Sequence, residues 1–337
     1  MIKNEILKLI TALTIGKIIV FATFPNIEKL SMRWDSEIYQ HIAVNGYTSD
    51  YYYAFSPLYP LLIRLLYLAI GNSWIASLIV TNIFSYICPL VLYKLFGYRV
   101  ALAFELFPTY LVFTTIPYSD VISTTFLAIS LLLLEKRSKK SLLASSISLS
   151  IAVINRYVMV ISTIYYFIVR KYLVGIIAIV ISGSVILSWY WLNLNSPLAY
   201  LEVENKYWGA KFTDPFSQAL WILNGPITNQ PWTFLGFIIP PYLWLIRNLI
   251  FEAFYIYGTI KLEDKKLKIL SATIILPNLF LTGTPSLSIP RFLLQDFLVF
   301  LYYGKVLENR LRFVIYLSLS LILTSVITLW QMQAFFS

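Results

Sequence analysis

The chain has 337 residues, of which 59% are hydrophobic and only 12% are charged. Soluble domains are about one quarter charged, so this composition excludes an ordinary water-soluble domain and predicts an integral membrane protein. The apolar runs are much longer than barrel strands, and in lipid such runs must satisfy their backbone internally, which predicts α-helices. The net charge of +10 does not indicate a nucleic-acid partner, because the basic residues lie in short clusters between apolar runs.

Metal sites are not predicted. The sequence contains one cysteine, Cys88, and one histidine, His41. With one residue of each kind, the sequence excludes an intramolecular disulfide and a metal site built from several cysteines or several histidines. We therefore predict no metal-binding residues and no certain cofactor, and whether a divalent metal assists stays open.

Eleven apolar runs are candidates for membrane spans, which need about 20 apolar residues each. They are, in chain order, 6–24, 73–93, 100–117, 121–134, 141–155, 157–169, 172–194, 233–259, 269–283, 292–303 and 313–333. Several runs are short, so the predicted number is about eleven, in a range of nine to thirteen. No repeat or linker divides the chain, which predicts one all-α polytopic domain over residues 1–337.

The distribution of basic residues predicts the topology. With a cytoplasmic N-terminus, most Lys and Arg fall into cytoplasmic segments, as the positive-inside rule requires. This orientation needs residues 57–70 to form an amphipathic helix at the membrane interface rather than a span. Two long loops, 25–72 and 195–232, then lie on the extracytoplasmic side, and long loops of this kind often carry function.

The first long loop contains a patterned segment, Trp34–Tyr47, followed by a second, Phe55–Arg64. The first segment predicts a short helix in which Asp35 is the N-cap and Gly46 follows the last turn. Its aromatic side chains are typical of the membrane interface. Sequence physics alone predicts a polytopic protein with a polar site on its extracytoplasmic face.

The two segments read W-D-S-x-x-Y-x-x-I-A-x-x-G-Y and F-x-P-L-Y-P-x-L-I-R, and they resemble the first luminal loop of the PIG-V-like (GPI mannosyltransferase II-like) family of GT-C glycosyltransferases. The chain is most similar to a prokaryotic member. Asp120 stands where the family usually has Glu, and Ser196 where it usually has Asp. Further similar pieces follow in the family's order, at Pro108 to Asp120, Asn155-Arg156, Ser196 to Gly209 and Ser288–Phe292.

The resemblance implies an inverting mannosyltransferase or other hexosyltransferase. Its donor would be a polyprenyl- or dolichyl-phosphate-linked sugar, and its acceptor a glycolipid or glycan. Asp35 is the implied base for the acceptor hydroxyl, and Asp120 would assist it or orient the acceptor. Arg291 and Arg156 would bind the donor phosphate. Substrate contacts are expected from Trp34, Tyr39, His41, Tyr118 and Trp208.

Simpler interpretations exist for these residues. Asp35 and Asp120 could do no more than stabilise the N-termini of their helices. The arginines could snorkel to the interface, and His41 could form a local hydrogen bond. The aromatic residues could form an interfacial belt. At the level of the whole protein, the alternatives are a transporter or flippase of lipid-linked sugar, or a lipid-binding scaffold. We expect the plasma membrane of a prokaryote, or the endoplasmic reticulum membrane of a eukaryote.

Overall fold

The chain folds almost entirely into helices in a computed structural model that describes residues 2–136, 138–224, 233–234 and 237–333. The first nine helices are α1 Ile2–Thr23, α2 Ile27–Ser31, α3 Asp35–Asn45, α4 Leu58–Ile70, α5 Ser73–Phe96, α6 Tyr98–Glu105, α7 Pro108–Thr115, α8 Asp120–Glu135 and α9 Lys139–Asn155. The others are α10 Thr163–Ile168, α11 Tyr172–Leu194, α12 Ala199–Trp208, α13 Pro215–Asn224, α14 Pro241–Lys261, α15 Lys265–Leu279, α16 Ile289–Phe292, α17 Phe300–Val306 and α18 Arg310–Gln333. The predicted all-α class is confirmed.

Shorter elements connect these helices. Five 3-10 helices cover Asp50–Ala54, Tyr157–Ser162, Thr284–Ser288, Leu293–Gln295 and Phe297–Val299 within the described residues. Two antiparallel pairs join short strands, β1 Lys211–Phe212 with β4 Leu281–Thr282, and β2 Thr233–Phe234 with β3 Phe237–Ile238. Arg137 of a predicted cytoplasmic cluster and residues 225–232 of the second predicted loop lie outside the described residues.

Four helices of the described chain, α1, α5, α11 and α18, are long and apolar enough to cross a membrane. The pair α7 and α8 passes the same test together but is bent by 115°. Of the remaining candidate spans, 233–259 contains the 21-residue α14, which carries Arg247 and Glu252 and does not pass this test. The others are shorter or interrupted helices, such as the 17-residue α9 and the 15-residue α15. The structure thus has the long apolar helices of a membrane protein, while the number of eleven spans stays a prediction.

The break around α7 places the first acidic residue of α8 inside the protein. Pro108 is the first residue of α7, where a missing N–H costs nothing. The chain turns after Thr115 and the next helix begins at Asp120, whose side chain is buried. The two predicted spans 100–117 and 121–134 therefore form three successive helices, α6, α7 and α8, instead of two straight ones. The bend between α7 and α8 directs Asp120 toward the centre of the fold.

The helix predicted over residues 57–70 is present as α4. Its Leu61, Leu65 and Leu68 are exposed, whereas Tyr59 and Ile63 on the other face are fully buried. An exposed apolar stripe on a 13-residue helix fits the membrane interface better than water. Gly71, with a φ of 73°, ends the helix in the left-handed conformation that glycine adopts without strain.

Candidate functional site

A large cavity of about 1180 Å³ lies between α3, the 3-10 helix Tyr157–Ser162, α12, β1 and α15. Part of its wall is charged and part is apolar. Among the elements that line it, α3 belongs to the first long loop that the sequence placed on the extracytoplasmic side, and α12 and β1 belong to the second.

Asp35 lines the cavity as the first residue of α3. The residue before it, Trp34, occupies the cap position with a φ of 53° and forms no side-chain cap hydrogen bond. The predicted N-cap role of Asp35 is therefore wrong, because its carboxylate is used elsewhere. Its Oδ2 accepts a hydrogen bond of 2.7 Å from the Nη1 of Arg291, 256 residues away in the sequence.

Asp35 is one end of a charge chain of four residues, Asp35, Arg291, Asp120 and Arg156. Arg291 Nε lies 3.4 Å from Asp120 Oδ2, and the other oxygen of Asp120 pairs with Arg156 Nη1. The Asp120 and Arg291 side chains are 3% and 6% exposed, while those of Asp35 and Arg156 are 15% exposed. Buried ions are costly unless they are paired, so the alternation of acidic and basic side chains explains how four charges can be buried together.

Aromatic rings hold both guanidinium groups in place. The Arg156 guanidinium lies 4.2 Å from the ring centre of Phe292, and that of Arg291 lies 5.1 Å from the same ring. On its other side Arg291 lies 4.5 Å from the ring of the buried Tyr118. Cation–π contacts of this kind favour a fixed guanidinium over a snorkelling one. The two arginines therefore stay at the cavity instead of extending to the membrane surface.

Hydrogen bonds fix the segment that carries Asp120. The Tyr39 hydroxyl lies 2.8 Å from Ser119 Oγ, which connects α3 to the start of α8. Asn155 Nδ2 donates to the Ser119 carbonyl oxygen at 2.9 Å and to Ser123 Oγ at 2.7 Å. These bonds tie α8 to the end of α9, directly before Arg156.

The structure brings most of the predicted site residues together. Five of them line the cavity, namely Asp35, Tyr39, Arg156, Arg291 and Trp208. Asp120 and Tyr118 lie behind this wall, where Asp120 pairs with both arginines and Tyr118 supports Arg291. These positions are compatible with the roles predicted for these residues, and the roles themselves stay predictions.

Besides Tyr118, two further predicted substrate contacts, His41 and Trp34, are not among the cavity-lining residues. His41 stacks on Tyr52 at 4.6 Å, and its ring nitrogens lie within hydrogen-bond distance of Thr48 and Asn45, which is the local role that the sequence left open. Trp34 donates from its indole nitrogen to the Gln331 carbonyl oxygen at 3.2 Å. Both side chains thus have local structural partners instead of an open face at the cavity.

Sequence reasoning missed Glu204, a cavity-lining acid on α12. The pKa of its carboxyl is raised to about 7, first by burial and then by Asp35, against the lowering effect of a hydrogen bond from Tyr200 and of the Arg156 guanidinium. The sequence feature that could have identified Glu204 is its spacing from two aromatic residues. Tyr200, Glu204 and Trp208 follow each other at four-residue intervals, which places them on one face of a helix.

An apolar part of the cavity wall reaches the outer surface. Val158 and Val160 line it from the 3-10 helix, Leu276 and Phe280 from α15 and the residue after it, and Phe212 from β1. All five side chains are among the exposed large hydrophobic residues of the protein. Exposed apolar residues that continue into a cavity form a path for an apolar ligand from the surface to the charge chain.

A short strand pair closes one side of the cavity. Lys211 of β1 lies opposite Thr282 of β4, and the Thr282 hydroxyl donates to the Lys211 carbonyl oxygen at 3.0 Å. Gly209, before β1, meets Gly283, directly after β4, and a Cβ on Gly283 would lie 2.4 Å from the Gly209 oxygen. Only glycine at position 283 permits this approach, which holds α12 over the cavity.

Comparisons with known proteins add no further assignment, since no protein-family model and no curated protein matches the chain. In the part of the chain that the structure describes, no group of three or more His, Cys, Asp and Glu side chains could hold a metal ion. The cavity is lined by carboxylates, guanidinium groups and aromatic rings, together with Lys211 and hydroxyl and amide side chains.

Proposed function

We propose that the protein is an inverting glycosyltransferase that moves mannose, or another hexose, from a polyprenyl-phosphate-linked donor to a glycolipid or glycan. The observation that carries this proposal is the cavity of about 1180 Å³, which joins an apolar path to a charge chain with two arginines. The proposal includes a GT-C-like architecture of about eleven spans, a cytoplasmic N-terminus and an extracytoplasmic site. The plasma membrane of a prokaryote is the proposed location.

The two ends of the cavity correspond to the two parts of such a donor. A polyprenyl chain would lie along the exposed apolar wall, where it remains in contact with lipid. The phosphate would bind Arg156 and Arg291, because a guanidinium has five N–H donors in a planar arrangement suited to phosphate. Arg291 donates to Asp35 from Nη1, and its Nε lies 3.4 Å from Asp120 without a hydrogen bond, so neither carboxylate uses Nη2.

Asp35 is the proposed base. The oxygen of the acceptor hydroxyl attacks the anomeric carbon, and the bond from that carbon to the phosphate oxygen breaks with its electron pair going to the phosphate. The hydroxyl proton passes to the Asp35 carboxylate. A single displacement inverts the anomeric configuration, and the arginines stabilise the charge on the departing phosphate. Asp120 keeps both arginines in position.

Donor binding is tested with Arg291→Gln in detergent-purified protein, using radiolabelled polyprenyl-phosphate mannose. Charge-assisted hydrogen bonds are worth about 1.5–3 kcal/mol, so we expect the dissociation constant to rise about 10- to 100-fold. Arg99→Gln is the matched control, because the ion pair of Arg99 with Glu308 is on the surface. Unchanged binding by Arg291→Gln, or no binding by the parent protein, would contradict the proposal.

A further inference from the structure

The helix α12 presents one continuous face to the cavity, formed by Tyr200, Glu204 and Trp208. An adjacent face carries the buried residues Ala199 and Val203, which pack in a hydrophobic cluster with aromatic residues of the neighbouring elements and with Tyr200 itself. This packing fixes the rotation of the helix. The three side chains are therefore held toward the cavity by the fold, and not by contacts with one another alone.

The rings at both ends of this α12 face have fixed positions. Tyr200 contacts the ring of Tyr157 edge-on, at 4.7 Å between centroids. Trp208 lies 5.8 Å from Phe55 and 5.1 Å from Tyr51. Aromatic rings held in this way offer rigid apolar surfaces with little conformational entropy to lose, and the C–H faces of sugars pack on such surfaces.

Glu204 differs from the other two acids at the cavity. Asp35 and Asp120 are paired with arginines, whereas Glu204 forms no ion pair within the described residues. The titratable and charged groups that face it are Tyr200 on its own helix, Tyr157, Asp35 and Arg156. A carboxylate has about four lone-pair sites, more than its neighbour Tyr200 can occupy with a single hydroxyl. Glu204 thus keeps acceptor capacity for hydroxyl groups.

We propose that the α12 face is the acceptor subsite, where Glu204 accepts hydrogen bonds from the hydroxyl groups of a hexose and Tyr200 and Trp208 pack against its ring. This inference rests on the proposed function and gives the acceptor its chemical class, a carbohydrate headgroup. Asp35 and Glu204 line the same cavity, so a sugar on the α12 face would be bound in the cavity that contains the proposed base.

The test compares the parent with Glu204→Gln and measures how much mannose each transfers to a sugar and how much it releases to water. Purified protein receives polyprenyl-phosphate mannose with an equal mixture of methyl mannoside, methyl glucoside and methyl galactoside, and disaccharide and free mannose are quantified. For Glu204→Gln we expect the KM for the methyl hexosides to rise about tenfold, with release of mannose to water within about twofold of the parent. Glu202→Gln, an exposed acid on the same helix, is the control and should behave as the parent.

Dependence on pH gives an independent readout. Because the Glu204 carboxylate is a stronger acceptor when ionised, the parent's KM for the methyl hexosides should fall as the pH rises through about 7, and the Gln variant should lose this dependence. If the Gln variant does not fold, Glu204→Asp and Trp208→Leu take its place, with a raised KM and preserved hydrolysis expected for both.

Three results would overturn the inference. Equal KM values for parent and Glu204→Gln would exclude an acceptor contact. Loss of both hydrolysis and transfer in that variant would place Glu204 at the reacting atoms. Hydrolysis by the parent without transfer to any hexoside would exclude a carbohydrate subsite. A parent protein that neither binds nor cleaves the donor would instead refute the proposed function, and the inference with it.

Discussion

Asp35→Asn should lower the rate of mannose transfer by about 10²- to 10⁴-fold, the usual contribution of a positioned general base. The amide has the shape of the carboxylate but does not accept the proton of the acceptor hydroxyl. Initial rates are measured with saturating polyprenyl-phosphate mannose and the methyl hexosides. Donor binding is measured in parallel, because Asp35 also pairs with Arg291.

Glu37→Gln is the matched control for this variant. Glu37 is an exposed acid on the same helix, two residues after Asp35, and it is not among the cavity-lining residues. It should leave the rate unchanged. A rate for Asp35→Asn within a few-fold of the parent would show that another group takes the proton. A large loss of donor affinity with unchanged turnover at saturation would limit Asp35 to holding Arg291.

Asp120→Ala should reduce the free energy of unfolding by about 3–5 kcal/mol, the range for breaking a buried ion pair from one side. The Asp120 side chain is 3% exposed and pairs with both arginines of the charge chain. Its removal leaves Arg291, itself 6% exposed, with Asp35 as its only ionic partner in the described structure. Equilibrium unfolding in mixed micelles measures the change.

The surface pair Arg99–Glu308 supplies the comparison, since its side chains are more than half exposed. Exposed pairs contribute little to stability, so Glu308→Ala should leave the unfolding curve almost unchanged. An effect of Asp120→Ala no larger than that of Glu308→Ala would mean that the four charges do not act as one buried unit.

Part of the candidate site follows from the sequence by physical reasoning. An arginine at the end of an apolar run is costly without a partner, and Arg156 and Arg291 do have carboxylate partners in the structure. Which carboxylates these are could not be read from the sequence, because Arg291 and Asp35 are 256 residues apart. Their meeting depends on the packing of the entire helix bundle.

The capping role predicted for Asp35 failed for a related reason. Local propensity favours an aspartate at a helix N-terminus, but the strong ionic partner from α16 outweighs the weaker cap hydrogen bond. Trp34 then occupies the cap position in a left-handed conformation, which is rare for a tryptophan. Tertiary contacts thus determine which residue occupies the N-cap of α3, and the outcome differs from the one that local sequence rules predict.

Glu204 was missed because its segment contains acids and bases in nearly equal number and resembles a solvated loop. Its four-residue spacing from Tyr200 and Trp208 becomes informative only when α12 is known to be a helix with Ala199 and Val203 buried. The helix α4 shows the opposite case, since the orientation set by the basic residues predicted an amphipathic helix over 57–70 from the sequence, and α4 forms there.

The most direct test of the central claim is to follow the donor in liposomes that contain the purified protein. Radiolabelled polyprenyl-phosphate mannose is supplied with the methyl hexosides, and intact donor, polyprenyl phosphate and disaccharide are separated and counted over time. We expect polyprenyl phosphate and disaccharide to appear in equal amounts, with an inverted anomeric linkage in the disaccharide. Donor that stays chemically intact while it moves between the two leaflets would contradict the transferase and establish a transporter of lipid-linked sugar instead.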